Sequence, residues 1–112
     1  MVAVKSYTHG AQVAPKKLRI IMNEVRGKRV DEAMSLLRFL TSPHARIVAK
    51  AVRSAAANAE NNYSLDPRRL RVTQAFVGDG ERFRRLIPRA RGRADVSYKR
   101  RSNVTIVVEE VN

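Results

Sequence analysis

The sequence predicts an α+β fold, and three observations carry the prediction. Apolar residues recur at helical spacing in three stretches between residues 15 and 62. Two later segments, 70–77 and 103–111, alternate apolar with polar residues and are rich in β-branched side chains. The 25 residues between those two segments are densely cationic. With 112 residues the chain fits one domain, residues 1–112, and its 44% apolar content is enough for a folded body.

Taken in order, Val2 to Thr8 sets Val2, Val4, Ser6 and Thr8 against Ala3, Lys5 and Tyr7, the pattern of a short strand. A first helix opens at Pro15, where a missing N–H is no loss, and buries Leu18, Ile21, Met22 and Val25. Gly27 is expected to end it as a left-handed cap. Lys16, Lys17 and Arg19 fall on the opposite face and Lys28 and Arg29 follow, so these are candidate RNA contacts or solvated charges. A second helix is expected to start with Asp31 capping its free N–H groups and to bury Ala33, Leu36, Leu37 and Leu40. Thr41-Ser42-Pro43 stops it, with Ser42 as the next N-cap and Pro43 in the first helical position. The alanine-rich helix that follows presents Val48, Val52, Ala55 and Ala59, with Ala51 and Ala56 allowing close approach, and reads as the central helix. Residues 61–67 read as a turn-rich link. The strand at 70–77 sets Leu70, Val72 and Phe76 against Arg71, Thr73 and Val77. The last strand sets Val104, Ile106 and Val108 against Thr105 and Glu109.

Between the last two strands, Arg82 to Arg101 holds nine Lys or Arg residues against Asp95 alone, so 20 residues carry +8 of the chain's net +13. A structureless loop of that length is improbable in a small domain, so both strands are expected to run outward as one antiparallel hairpin over 79–101, leaving 1–78 and 102–112 as the body. At about 3.3 Å per residue the ribbon would reach about 40 Å, with its tip near Pro88 to Arg93. Such charge density calls for a polyanion, because neutralising phosphates releases counterions. With only three Phe, three Tyr and no Trp, backbone contacts are expected to outweigh base stacking.

The chain reads as a binding protein without cofactor, not an enzyme. It has no Cys, hence no disulfide, thiolate metal site or thiol nucleophile. His9 and His44 are its only imidazoles. Gly78-Asp79-Gly80-Glu81 lacks the phosphate-cradling GxxxxGK pattern, and Glu109 and Glu110 face opposite ways on a strand. No secretory segment or membrane-length run occurs, so a cytoplasmic protein without a membrane partner is expected. A DNA-bending protein also projects basic ribbons and apolar wedges, here Ile87 and Pro88, and is the competing reading. Those proteins are typically symmetric dimers, and nothing in this chain points to a self-complementary helical interface, so no homo-oligomer is expected.

GKRVDEAMSLLRF, SAAANAENNYSLDP, RFRRLIPRARGRAD and KRRSNVTIVVEE, in this order and spacing, resemble the family of universal large-ribosomal-subunit protein twenty-two in its bacterial form. The resemblance covers about residues 13–110, and ANAENN and PRARGRA carry most of it. It implies three helices packed on a three-stranded antiparallel sheet, with a long β-hairpin extending from two strands. It also implies large-subunit rRNA, neighbouring ribosomal proteins and the nascent polypeptide as partners in a cytoplasmic ribosome. Carried onto this chain, Arg82, Arg84, Arg85, Lys99, Arg100 and Arg101 would grip rRNA backbone. Ile87, Pro88, Arg89, Ala90, Arg91, Gly92 and Arg93 would line the polypeptide exit tunnel. Two positions depart from the family: Ala14 stands where a Ser usually caps the first helix, and Asn103 where many relatives have His, changing one possible RNA contact.

Overall fold

The computed structural model describes residues 3–11, 13–80, 83–88, 92, 94–99 and 101–111, with the backbone alone for 83–87 and 94–99. The elements run β1 (Ala3–Ala11), α1 (Pro15–Val25), α2 (Val30–Phe39), α3 (Ala45–Tyr63), a 3₁₀ turn (Pro67–Arg69), β2 (Leu70–Asp79), β3 (Phe83–Pro88), β4 (Ala94–Lys99) and β5 (Ser102–Glu110). The α+β expectation holds: three helices lie against an antiparallel sheet of order β1-β5-β2, and β3 and β4 form a two-stranded antiparallel ribbon. The radius of gyration is 17.2 Å, where a compact chain of this length gives about 13 Å. The molecule measures 65 × 27 × 17 Å.

The core forms where the amphipathic patterns meet. Leu18, Ile21, Met22 and Val25 of α1, Val48, Val52, Ala55 and Ala59 of α3, and Val104, Ile106 and Val108 of β5 are all buried together. Alanines at 45, 51, 55 and 59 let α3 approach the sheet closely. The buried hydroxyl of Ser6 donates to the Ala51 carbonyl at 2.7 Å, and that of Ser102 donates to the Val13 carbonyl. Both polar side chains are thereby satisfied where an unpaired group would destabilise the body.

Several local expectations are corrected. Gly27 has φ +82 but does not cap α1. The helix closes at Arg26, whose extended backbone and the Lys28 N–H to Val25 carbonyl bond of 3.2 Å make residues 25–28 a type II turn, with Gly27 in the position that demands positive φ. α2 begins at Val30 after Arg29, so Asp31 and Glu32 occupy its first turn and act through the helix dipole instead of as caps. Leu36 and Leu40 pack against the core only partly buried. α3 begins at Ala45, two residues past Pro43; Ser42 still serves the entrance, because its Oγ accepts from the His44 N–H at 3.3 Å. The same helix runs to Tyr63, into the segment read as a link. β1 extends to Ala11 with an irregularity between Thr8 and Ala11, β2 extends to Asp79, and β5 spans Ser102–Glu110.

The largest correction concerns β2. A bulge between Val72 and Gln74 inserts one residue and inverts the alternation beyond it. Leu70 and Val72 point into the core as expected, but past the bulge Ala75 and Val77 are buried and Phe76 is 51% exposed. Phe76 and Val77 thus exchange the places their spacing assigned them.

Candidate nucleic-acid interface

The ribbon begins where the body sheet ends. Asp79 pairs with Ser102, the Gly80 N–H donates to the Arg101 carbonyl at 2.8 Å, and the ladder resumes at Phe83 opposite Lys99. Gly80 is required by proximity: a Cβ there would lie 3.0 Å from both the carbonyl carbon and oxygen of Arg101. From Phe83 the register runs through Arg84 opposite Tyr98 and Arg85 opposite Ser97 to Pro88 opposite Ala94. Proline offers no N–H to this last described pair. Beyond it Gly92 adopts φ +74. Of the residues expected to grip rRNA or line a tunnel, Arg84, Arg85, Ile87, Pro88, Gly92, Lys99 and Arg101 therefore have a described backbone on or beside this ribbon. Arg82, Arg89, Ala90, Arg91, Arg93 and Arg100 lie outside the described residues.

The body cations divide into two places. The buried Ser102 bond to Val13 holds the start of α1 beside the root of the ribbon, and Arg19 Nη2 donates to the Val77 carbonyl at 3.3 Å. Lys16, Lys17 and Arg19, all exposed, are thus brought to the same end of the body as Arg101. The first turn of α1 contains no acid, so its dipole adds to the positive potential there. Lys28 sits at the other end of α1, half-buried, with its carbonyl accepting from the Val72 N–H at 2.9 Å. The sequence placed it after the end of the helix that carries the others, and the structure keeps it apart from them.

Two groups escaped the sequence reading. Arg26 donates from Nε to the Ala75 carbonyl at 3.2 Å and again from Nη2, while its Nη1 reaches Asn23 at 2.8 Å. Together with Arg19 it covers carbonyls on the outer edge of β2, which would otherwise be an open template for another strand. Arg38, Arg46 and Arg53 line a groove of about 570 Å³ between α2 and α3; the i, i+7 spacing of the last two was the available signal. Asn103, expected to change a possible RNA contact, accepts from the Gly10 N–H through Oδ1 at 3.1 Å and so fixes the irregular end of β1. Arg69 and Asp66 form a salt bridge at 3.9 Å between exposed side chains. With 23 Lys and Arg against 10 Asp and Glu, the chain's own acids cannot balance its cations, an excess suited to an anionic partner. No group of metal-ligating side chains occurs among the described residues, and no described helix is long and apolar enough to cross a membrane.

Comparison with known proteins agrees with this arrangement. Three relatives carry the name "Large ribosomal subunit protein uL22". That of Thermotoga sp. (strain RQ2) is 43% identical over 109 residues, covering 97% of this chain and 69% of the relative. That of Thermoanaerobacter sp. (strain X514) is 46% identical over 99 residues, covering 88% and 89%. That of Roseiflexus sp. (strain RS-1) is 43% identical over 106 residues, covering 95% and 94%. The family described as "Ribosomal protein L22p/L17e" matches residues 6–109, from the first body strand through the ribbon to the end of β5, and this chain belongs to it.

Proposed function

We propose that the protein binds large-subunit rRNA through the root and stem of its basic ribbon and lines the polypeptide exit tunnel with the tip. Membership of the family makes its role structural and non-enzymatic, as a constituent of the large subunit of the cytoplasmic ribosome in association with rRNA and other ribosomal proteins. In this reading 1–78 and 102–112 are the folding unit, 79–101 is the RNA-completed arm, and the chain is present as one copy beside the nascent polypeptide. Lys16, Lys17 and Arg19 continue the cationic track from the ribbon onto the body, and Lys28 makes a separate contact.

One observation carries the proposal: +8 of charge within the 20-residue segment that contains a two-stranded ribbon separate from the three-stranded sheet. A two-stranded ribbon has little apolar surface to bury and is marginal alone, so a surrounding phosphate scaffold supplies what a core does not. Replacing Arg84, Arg85, Arg100 and Arg101 by Ala is expected to weaken binding to a large-subunit rRNA transcript. The slope of log K against log salt should fall by about one unit per lost phosphate contact, roughly three to four in all. Filter binding from low to moderate salt measures it, and an unchanged slope would reject the proposal.

A further inference from the structure

Aromatic side chains bury 150–250 Å² each by general rule and are normally prime core material. Here the core is built from Leu, Ile, Val, Met and Ala. The four aromatic residues with described side chains are all more than half exposed: Tyr7 60%, Phe39 86%, Tyr63 54% and Phe76 51%. Two of them are aligned. Thr105 on the central strand pairs with Tyr7 on one side and Phe76 on the other, so a single cross-strand row places a ring on each flank of a Thr. The next row pairs Val107 with Lys5 and Gln74, and the one beyond pairs Glu109 with Ala3 and Arg71. Tyr7 also has His9 beside it, ring centroids 6.1 Å apart and tilted by 33°.

The helices cover the opposite face of this sheet, where Val104, Ile106 and Val108 are buried. The bulge after Val72 is what turns Phe76 outward: in a regular ladder its side chain would have entered the core. From this we infer that the open face of the sheet is a stacking platform for unpaired RNA bases, with Tyr7 and Phe76 as its two ring surfaces and Lys5 and Gln74 as polar neighbours. The inference rests on the rRNA-binding reading above and adds a different kind of contact to it. Two strand spacings separate the rings, about 10 Å, so they serve two bases and not the two faces of one. The occupant is RNA because cationic and hydrogen-bonding side chains border the rings: Lys5, Gln74 and Arg71 stand in the two adjoining rows, with Glu109 the one acid there, while Thr105 and Val107 beneath them are buried. A protein partner would call for contiguous aliphatic surface. Aromatic residues exposed on a sheet are also the physical means by which splayed-out bases are held.

Stacking releases no counterions, and this separates it from the arm. Tyr7→Ala and Phe76→Ala are each expected to weaken binding to a large-subunit rRNA transcript about tenfold while the salt slope stays as in the unaltered protein. Tyr7→Phe and Phe76→Tyr are expected to bind within about twofold of it, since each keeps a ring. Because the chain contains no Trp, Phe76→Trp supplies a single fluorescent probe, and transcript is expected to quench it by stacking. Alanine variants that bind like the unaltered protein overturn the platform. So does a slope lowered by about one unit, or a Trp quenched only when other ribosomal proteins are added, which would make the occupant a protein. Any of these leaves the arm proposal standing, whereas an unchanged slope in the quadruple arginine variant removes that proposal by itself.

Discussion

Ser64 takes φ +54 and ψ +33 at the end of α3, the one non-glycine residue at positive φ among those described, and the N–H groups of Ser64 and Leu65 both reach the Ala59 carbonyl. A side chain in that region is disfavoured by about 1–2 kcal/mol, and glycine removes the clash while adding freedom to the unfolded chain. Ser64→Gly is expected to stabilise by roughly 0.5–1 kcal/mol net, raising the melting temperature by about 2–4 °C in a thermal scan. Ala14 poses the complementary case: it caps α1 with extended backbone and no side-chain bond. Ala14→Ser restores an acceptor for the first turn and is expected to add about 1 kcal/mol. The bulge in β2 yields a third contrast between adjacent residues. Val77→Ala empties buried volume and should cost about 1–2 kcal/mol, while Phe76→Ala, larger by composition, should stay within about 0.5 kcal/mol. Urea melts of the two variants would separate them, and the reverse order would place the bulge elsewhere.

At the scale of elements, α1 does two things: it buries one face and seals the edge of β2 with the other. Gly27 and Lys28 bond to Val72 through backbone, and Arg26 and Arg19 continue along the edge through guanidinium groups at Ala75 and Val77. Arg26→Ala is expected to cost about 1 kcal/mol by urea denaturation, and Arg26→Lys to recover little of it, since an ammonium cannot present two donors in the same plane. This seal also shows where sequence reading stops. The helix faces were legible because 3.6-residue periodicity is local: Leu18, Ile21, Met22 and Val25 are buried as their spacing implied. β5 was legible because Val104, Ile106 and Val108 alternate on the core face, although Thr105 and Val107 on its other face are buried as well. β2 was legible only up to Val72, since a bulge depends on how two strands are paired and leaves no mark in the composition of either. The cationic track was visible as charge, yet the separation of Lys28 from Lys16, Lys17 and Arg19 depends on which end of α1 lies against the ribbon root. Tyr7 and Phe76, 69 positions apart, meet one row through β5, and no single-strand pattern links them.

The whole molecule is one hydrophobic core and a separate two-stranded ribbon. β3 and β4 pair with each other, and among the described residues the Gly80 and Arg101 backbone contact joins their ends to the body sheet. Stability and binding are therefore separable along the chain. Gly80→Ala should disturb the join, because its Cβ meets backbone and not a movable side chain; faster amide exchange at Val77–Asp79 and Ser102–Val104 is expected while α1 and α3 remain protected. The described core draws on residues 4–77 and 104–108, so deleting 87–93 is expected to change the melting temperature and helical circular dichroism of the free protein by no more than about 2 °C and a few per cent. On the proposed reading of the arm, the same deletion should leave incorporation into large subunits intact in a reconstitution, because the stem arginines and the body face are still present, and should alter only the density contributed by the tip. A truncated protein that melted early would show that the arm stabilises the body, and the division of labour between core and phosphate scaffold would have to be redrawn.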